Sequence, residues 1–133
     1  MTSPELENLV TIGQLKRESP SAGELEGLRK SGEDRLKDSK NVALSLASRF
    51  DLAYNAAHAL ALVALRRAGY RSENRHTVFS ALAHTLGMPP ATMRVLLKCH
   101  VHRNQAEYEG HFDLDVRLVG DLILAAEAVR KAL

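Results

Sequence analysis

The chain has no tryptophan, a single cysteine and few aromatics, 5% of its 133 residues. Strands draw on aromatic and β-branched residues, so this shortage argues against a sheet sandwich and for helices. One cysteine, Cys99, closes no intrachain disulfide and has no Cys-x-x-Cys partner for a metal, so a reducing, cytoplasmic setting is expected. Long apolar runs are also missing. The most apolar window, 56–65, is about half of the roughly 20 residues that a membrane span needs, so no membrane is expected. The first 17 residues lack the basic start and apolar run of a signal peptide. There is no Gly-rich phosphate loop, no pair of catalytic carboxylates and no Ser nucleophile elbow. A strong excess of one charge is absent too, since 18 basic and 16 acidic residues leave a net charge of +2. Any basic footprint must therefore be local.

Apolar residues, mostly Ala and Leu, make up 45% of the chain. That composition and length predict one globular, all-α domain over 1–133. A first helix is expected over 4–18, with Pro4 in its first turn and Leu6, Leu9 and Val10 on one face. A second is expected over 22–37, with Leu25, Leu28 and Leu36 inward. The third and longest runs from about 44 to 68. Its Leu46, Phe50, Ala53, Ala57, Leu60 and Ala64 make a coiled-coil-like seam. A fourth covers 73–86, with Phe79, Leu82, Ala83 and Leu86 inward. Gly87-Met88-Pro89-Pro90 then stops the chain and restarts it as a fifth helix to about 108. Asp113 or Asp115 caps a sixth, which buries Val119, Leu122, Ile123, Ala126 and Val129. Short links make consecutive helices antiparallel. The expected architecture is an up-and-down four-helix bundle over 44–133, with the N-terminal pair, 4–37, beside it.

The fifth helix starts apolar (Met93, Leu96, Leu97, Val101) and ends in polar groups, Arg103, Asn104 and Tyr108, followed by His111. Polar groups where packing would prefer Leu cost stability unless partnered, which marks a functional site or a structural network. The antiparallel topology sends Arg66, Arg67, Arg71, Arg75 and His76 to the same pole as Arg103, Tyr108 and His111. Tyr54 and His58, one turn apart on the long helix, read first as packed core and only second as part of a site. His58 lies eleven residues before Gly69, about 16 Å down the helix. It is therefore expected well below Arg103, unless a twofold partner or an irregular helix brings the two together. His100 and His102, two residues apart, face different ways and make no metal pair. Cys99 reads as a small packed hydrophobe. No metal or cofactor is expected.

Tyr54 and His58 in an Ala-rich helix, with Arg103-Asn104 near the end of a neighbouring one, resemble the HEPN superfamily (higher eukaryotes and prokaryotes nucleotide-binding). The resemblance spans roughly 44–133. It implies a homodimer whose Arg…His motifs face one another and, in nuclease members, cut RNA without metal. It also implies, for some members, a nucleotidyltransferase partner in a toxin–antitoxin pair. In this chain Tyr108 stands near the place of the motif His, and the next His is His111. Tyrosine, with a reference pKa near 10, is a poor base at neutral pH. The resemblance therefore points to a non-nucleolytic branch that binds nucleotide or RNA phosphate through Arg103, Asn104, Tyr108, Tyr54, His58 and Arg75. A metal-independent ribonuclease using Arg103 and His111, or a structural dimerisation module, are the alternatives.

Overall fold

The computed structural model describes residues 3–110 and 114–133; the side chains of Glu107 and Glu109 lie outside the description. His111 and Asp113 are likewise outside the described residues. The elements run α1 (Pro4–Thr11), β1 (Lys16–Arg17), α2 (Ala22–Ser39), α3 (Leu46–Arg67), β2 (Tyr70–Arg71), α4 (Arg75–Ser80), α5 (Leu82–Thr85), α6 (Pro90–Glu109) and α7 (Val116–Ala132). The fold is an all-α helical bundle, as composition implies. No described helix is long and apolar enough to cross a membrane.

Local chemistry sets most helix starts. Ser3, Ser45, Asn74 and Asp115 each accept a backbone N–H in the first turn of the helix that follows. Ser21 and Glu24 form a reciprocal capping box on α2. The first helix stops at Thr11 rather than running to 18. Gly13 takes φ 83, and the N–H groups of Gln14 and Leu15 both return to the Leu9 carbonyl. A left-handed residue is cheap only for glycine, and here it reverses the chain. Leu15 is thereby buried, and Lys16 and Arg17 pair antiparallel with Arg71 and Tyr70.

The most extensive helix packing is between α2 and α3, and α3 also packs along α7. The second helix is therefore a full member of the bundle beside α3, α6 and α7. Its close approach depends on Gly32: a Cβ there would meet Leu60 Cγ at 2.7 Å and the Ala56 carbonyl oxygen at 3.3 Å. The expected fourth helix is instead two short ones, α4 and α5, that meet at Ala81. This break shifts the helical phase. Val78, Phe79 and Leu82 are all fully buried, while Ala83, expected inward, is exposed. The seam of α3 is buried from Phe50 to Ala64. On α6, Met93, Leu96 and Cys99 are buried, but Val101 is 53% exposed.

The two glycines of α2 separate packing from propensity. Gly27→Ala, with nothing within 4 Å of its Cβ, should raise the unfolding free energy by ~0.5–1 kcal/mol. Gly32→Ala should lower it by ~1–3 kcal/mol, because buried Leu60 has to move. Urea unfolding of both variants checks the opposite signs.

Candidate functional site

Tyr54 on α3 is fully buried, an unusual large polar group among alanines. Aromatic rings enclose it: Phe50 one turn earlier stacks at 6.1 Å between centroids, and Phe79 of α4 meets it edge-on at 5.7 Å. His100 of α6 lies nearly parallel at 6.3 Å. Two guanidinium groups sit over the same ring, Arg75 of α4 at 5.5 Å and Arg103 of α6 at 5.1 Å from its centroid. Each such contact stabilises the cation's position by ~0.5–2 kcal/mol. Arg75 is fixed further: its Nη1 donates to Asn55 Oδ1 at 3.2 Å, while Asn55 Nδ2 donates to the Asp51 carbonyl.

His100 has both ring nitrogens engaged. Nδ1 lies 2.9 Å from the Tyr54 hydroxyl and Nε2 3.4 Å from the Asn104 amide. With the amide orientation assigned, Asn104 donates to Nε2 and Nδ1–H donates to the Tyr54 oxygen. His76 stands 6.1 Å from the His100 ring. Burial, then His76, Arg103 and Arg75, hold the His100 pKa below its ordinary value. His58, edge-on to Phe79 at 5.8 Å, is pushed from 6.5 down to about 4 by burial, then by Arg75, Arg103 and His100. Burial raises the Tyr54 pKa, and the two arginines partly oppose it. At neutral pH the cluster thus has two cationic guanidiniums, a neutral His58 and a protonated phenol.

This arrangement suits holding an anion better than moving protons. His58 accepts a proton only weakly, its conjugate acid lying near 4. Neither nitrogen of His100 is free. No group of three or more His, Cys, Asp or Glu among the described residues could hold a metal ion. Burial pushes the Cys99 thiol up to about 12, so it is no nucleophile at neutral pH.

The structure unites only part of the expected basic pole. Arg75 joins Arg103, but both act at the level of Tyr54, about 18 Å along α3 from Arg66. Arg66 is buried elsewhere. Its Nε donates to Glu24 Oε1 at 2.7 Å, and its Nη1 donates to the carbonyls of Glu18 (2.9 Å) and Tyr70 (3.1 Å). Arg71 pairs with Glu18 at 3.0 Å, and Arg67 is exposed. Arg75, at the start of α4, and Arg103 of α6 both meet the middle of α3, so one chain brings Tyr54, His58 and Arg103 together without a twofold partner. Tyr108 is 83% exposed at the end of α6. His76, expected at the Arg103 pole, joins the cluster, and Phe79 and His100, which the sequence offered only as a core residue and a rejected metal ligand, complete it. The signal for His100 was its i+3 and i+4 relation to Arg103 and Asn104, which puts all three on one stretch of helix surface.

The His58 shift has a stability consequence. Above pH 6.5 the ring is neutral whether folded or unfolded and adds no pH dependence. Between 6.5 and about 4 the unfolded chain binds a proton that the folded chain refuses, so stability falls as pH is lowered. The loss approaches ~3 kcal/mol at the low end. Urea midpoints followed from neutral pH to mildly acid pH should fall less steeply in His58→Gln than in the parent chain. No protein-family model matches this chain, and no curated protein or solved structure matches it.

Proposed function

We propose that this chain is a HEPN-like helical-bundle protein that holds a nucleotide or RNA phosphate between Arg75 and Arg103 without cleaving it. The observation that carries this reading is the convergence of two guanidinium groups, from α4 and α6, on the single ring of Tyr54. Guanidinium groups bind phosphate oxygens through paired, charge-assisted hydrogen bonds. Fixing both cations on a buried ring lowers the entropy lost when a phosphate arrives. Neutral imidazoles beside them add hydrogen-bonding capacity but little proton-transfer power, which favours binding over cleavage. Asn104 acts here through His100, whose ring it orients. A homodimer, and a role beside a nucleotidyltransferase in a toxin–antitoxin pair, come with the resemblance and are proposed on that ground alone.

The test is binding of a labelled single-stranded RNA by fluorescence anisotropy across a salt series, in EDTA. Arg75→Gln and Arg103→Gln should each weaken binding about tenfold or more. Each should also reduce the slope of log affinity against log salt by ~0.7. The RNA should remain intact throughout. Equal affinity in both variants would remove the binding role, and cleavage lost in His111→Ala would replace it with the ribonuclease.

A further inference from the structure

A second place in the molecule has the makings of an anion site, and it stands independently of the Tyr54 cluster. The loop after α1 and the β2–α4 connection line a half-open cavity of about 280 Å³. No side chain of the Tyr54 cluster lines it. Its lining includes Lys16 and Arg71, which are direct partners across the two-residue antiparallel ladder. Residues directly opposite in such a ladder project from the same face, with Cβ atoms ~4.5–5.5 Å apart, and like charges there are destabilising. The countercharge is thin. Arg71 pairs with Glu18 at 3.0 Å, but the same carboxylate oxygen also serves Arg66 at 3.4 Å. Lys16 has no ion pair among the described residues. Glu73 is the one carboxylate in the lining, against two cations.

The neutral groups of the lining have the same bias. Gln14 uses its side-chain oxygen to accept the Thr77 hydroxyl at 3.2 Å. Asn74 uses its oxygen to accept the Thr77 N–H at 3.1 Å. Ser72 accepts the Asn74 N–H at 3.1 Å. Three acceptors are thus spent within the fold, and the amide N–H groups of Gln14 and Asn74 and the Ser72 hydroxyl are left as donors. Two cations and three donors around one small cavity call for an acceptor-rich, negatively charged guest. Its size lies at the low end of the ~300–1,000 Å³ range of ligand cavities, which suits a small acid.

We propose that this cavity binds a small molecule through one phosphate or carboxylate group, held by Lys16 and Arg71 with Gln14, Ser72 and Asn74 as neutral donors. Because the cavity joins the N-terminal loop to the β2–α4 connection, occupancy tethers the first fifth of the chain to the bundle. The experiment is a titration of the whole chain with inorganic phosphate and, separately, with succinate, in a chloride buffer. Backbone amide NMR signals and the thermal midpoint are followed. Saturable shifts at 13–16 and 71–74 are expected with one or both anions at millimolar concentration, with a rise in the midpoint. A response to phosphate alone or to succinate alone assigns the group that is bound. Lys16→Gln, a change at an exposed position, should weaken the response about tenfold. Lys30→Gln, an exposed cation of α2 outside the cavity lining, should leave it unchanged. The proposal is overturned if neither anion moves these amides saturably, if Lys16→Gln responds like the parent chain, or if the response disappears in Lys30→Gln.

Discussion

The candidate site depends on one buried ring. Tyr54 is fully enclosed on α3, and every other member of the site is placed by reference to it. Its hydroxyl fixes His100, and its ring gathers Arg75 and Arg103. Phe50 and Phe79 close the remaining sides. The alanines around it matter because their small side chains let α4 and α6 come close. A bulkier seam would hold those helices away and leave two arginines as ordinary surface charge. Burial then acts on the titratable groups, so that the imidazoles near the guanidinium groups are held against protonation.

Arginines in this fold serve two different ends. Arg66 is consumed by the structure: it is 2% exposed and joins α3 to the N-terminal segment through Glu24, the Glu18 and Ser19 carbonyls and Tyr70. A buried cation of this kind stays only because its donors are satisfied, and losing it would strand acceptors on three segments. Arg75 and Arg103 instead lie partly exposed over an aromatic face. That contrast separates a structural cation from a candidate ligand-binding one, although composition alone treats them alike.

Much of the architecture was legible because it is local. Pro4 and Asp115 mark helix starts within the first turn, and the caps at Ser3, Ser21 with Glu24, and Asn74 are as local, although they were not among the expected signals. The four-three spacing of the α3 seam identifies its buried side without reference to any partner. The rest was set by contacts distant in sequence. The reversal at Gly13 is completed by pairing with residues 70–71, more than fifty positions away. The break at Ala81 has no proline or glycine to announce it; three buried side chains, Val78, Phe79 and Leu82, share the inward positions there. The pairing of Arg103 with Arg75 was foreseeable from topology, whereas its distance from Arg66 and its contact with Tyr54 were not.

The most direct test of the account is titration of the histidine ring protons by NMR, with and without a bound nucleotide or short RNA. Burial first, and the neighbouring positive charges second, disfavour protonation of His58 and His100, and a phosphate held by Arg75 and Arg103 would offset the second of these. The account predicts that both pKa values rise on binding. A ligand that binds and leaves His58 and His100 unmoved would contradict it.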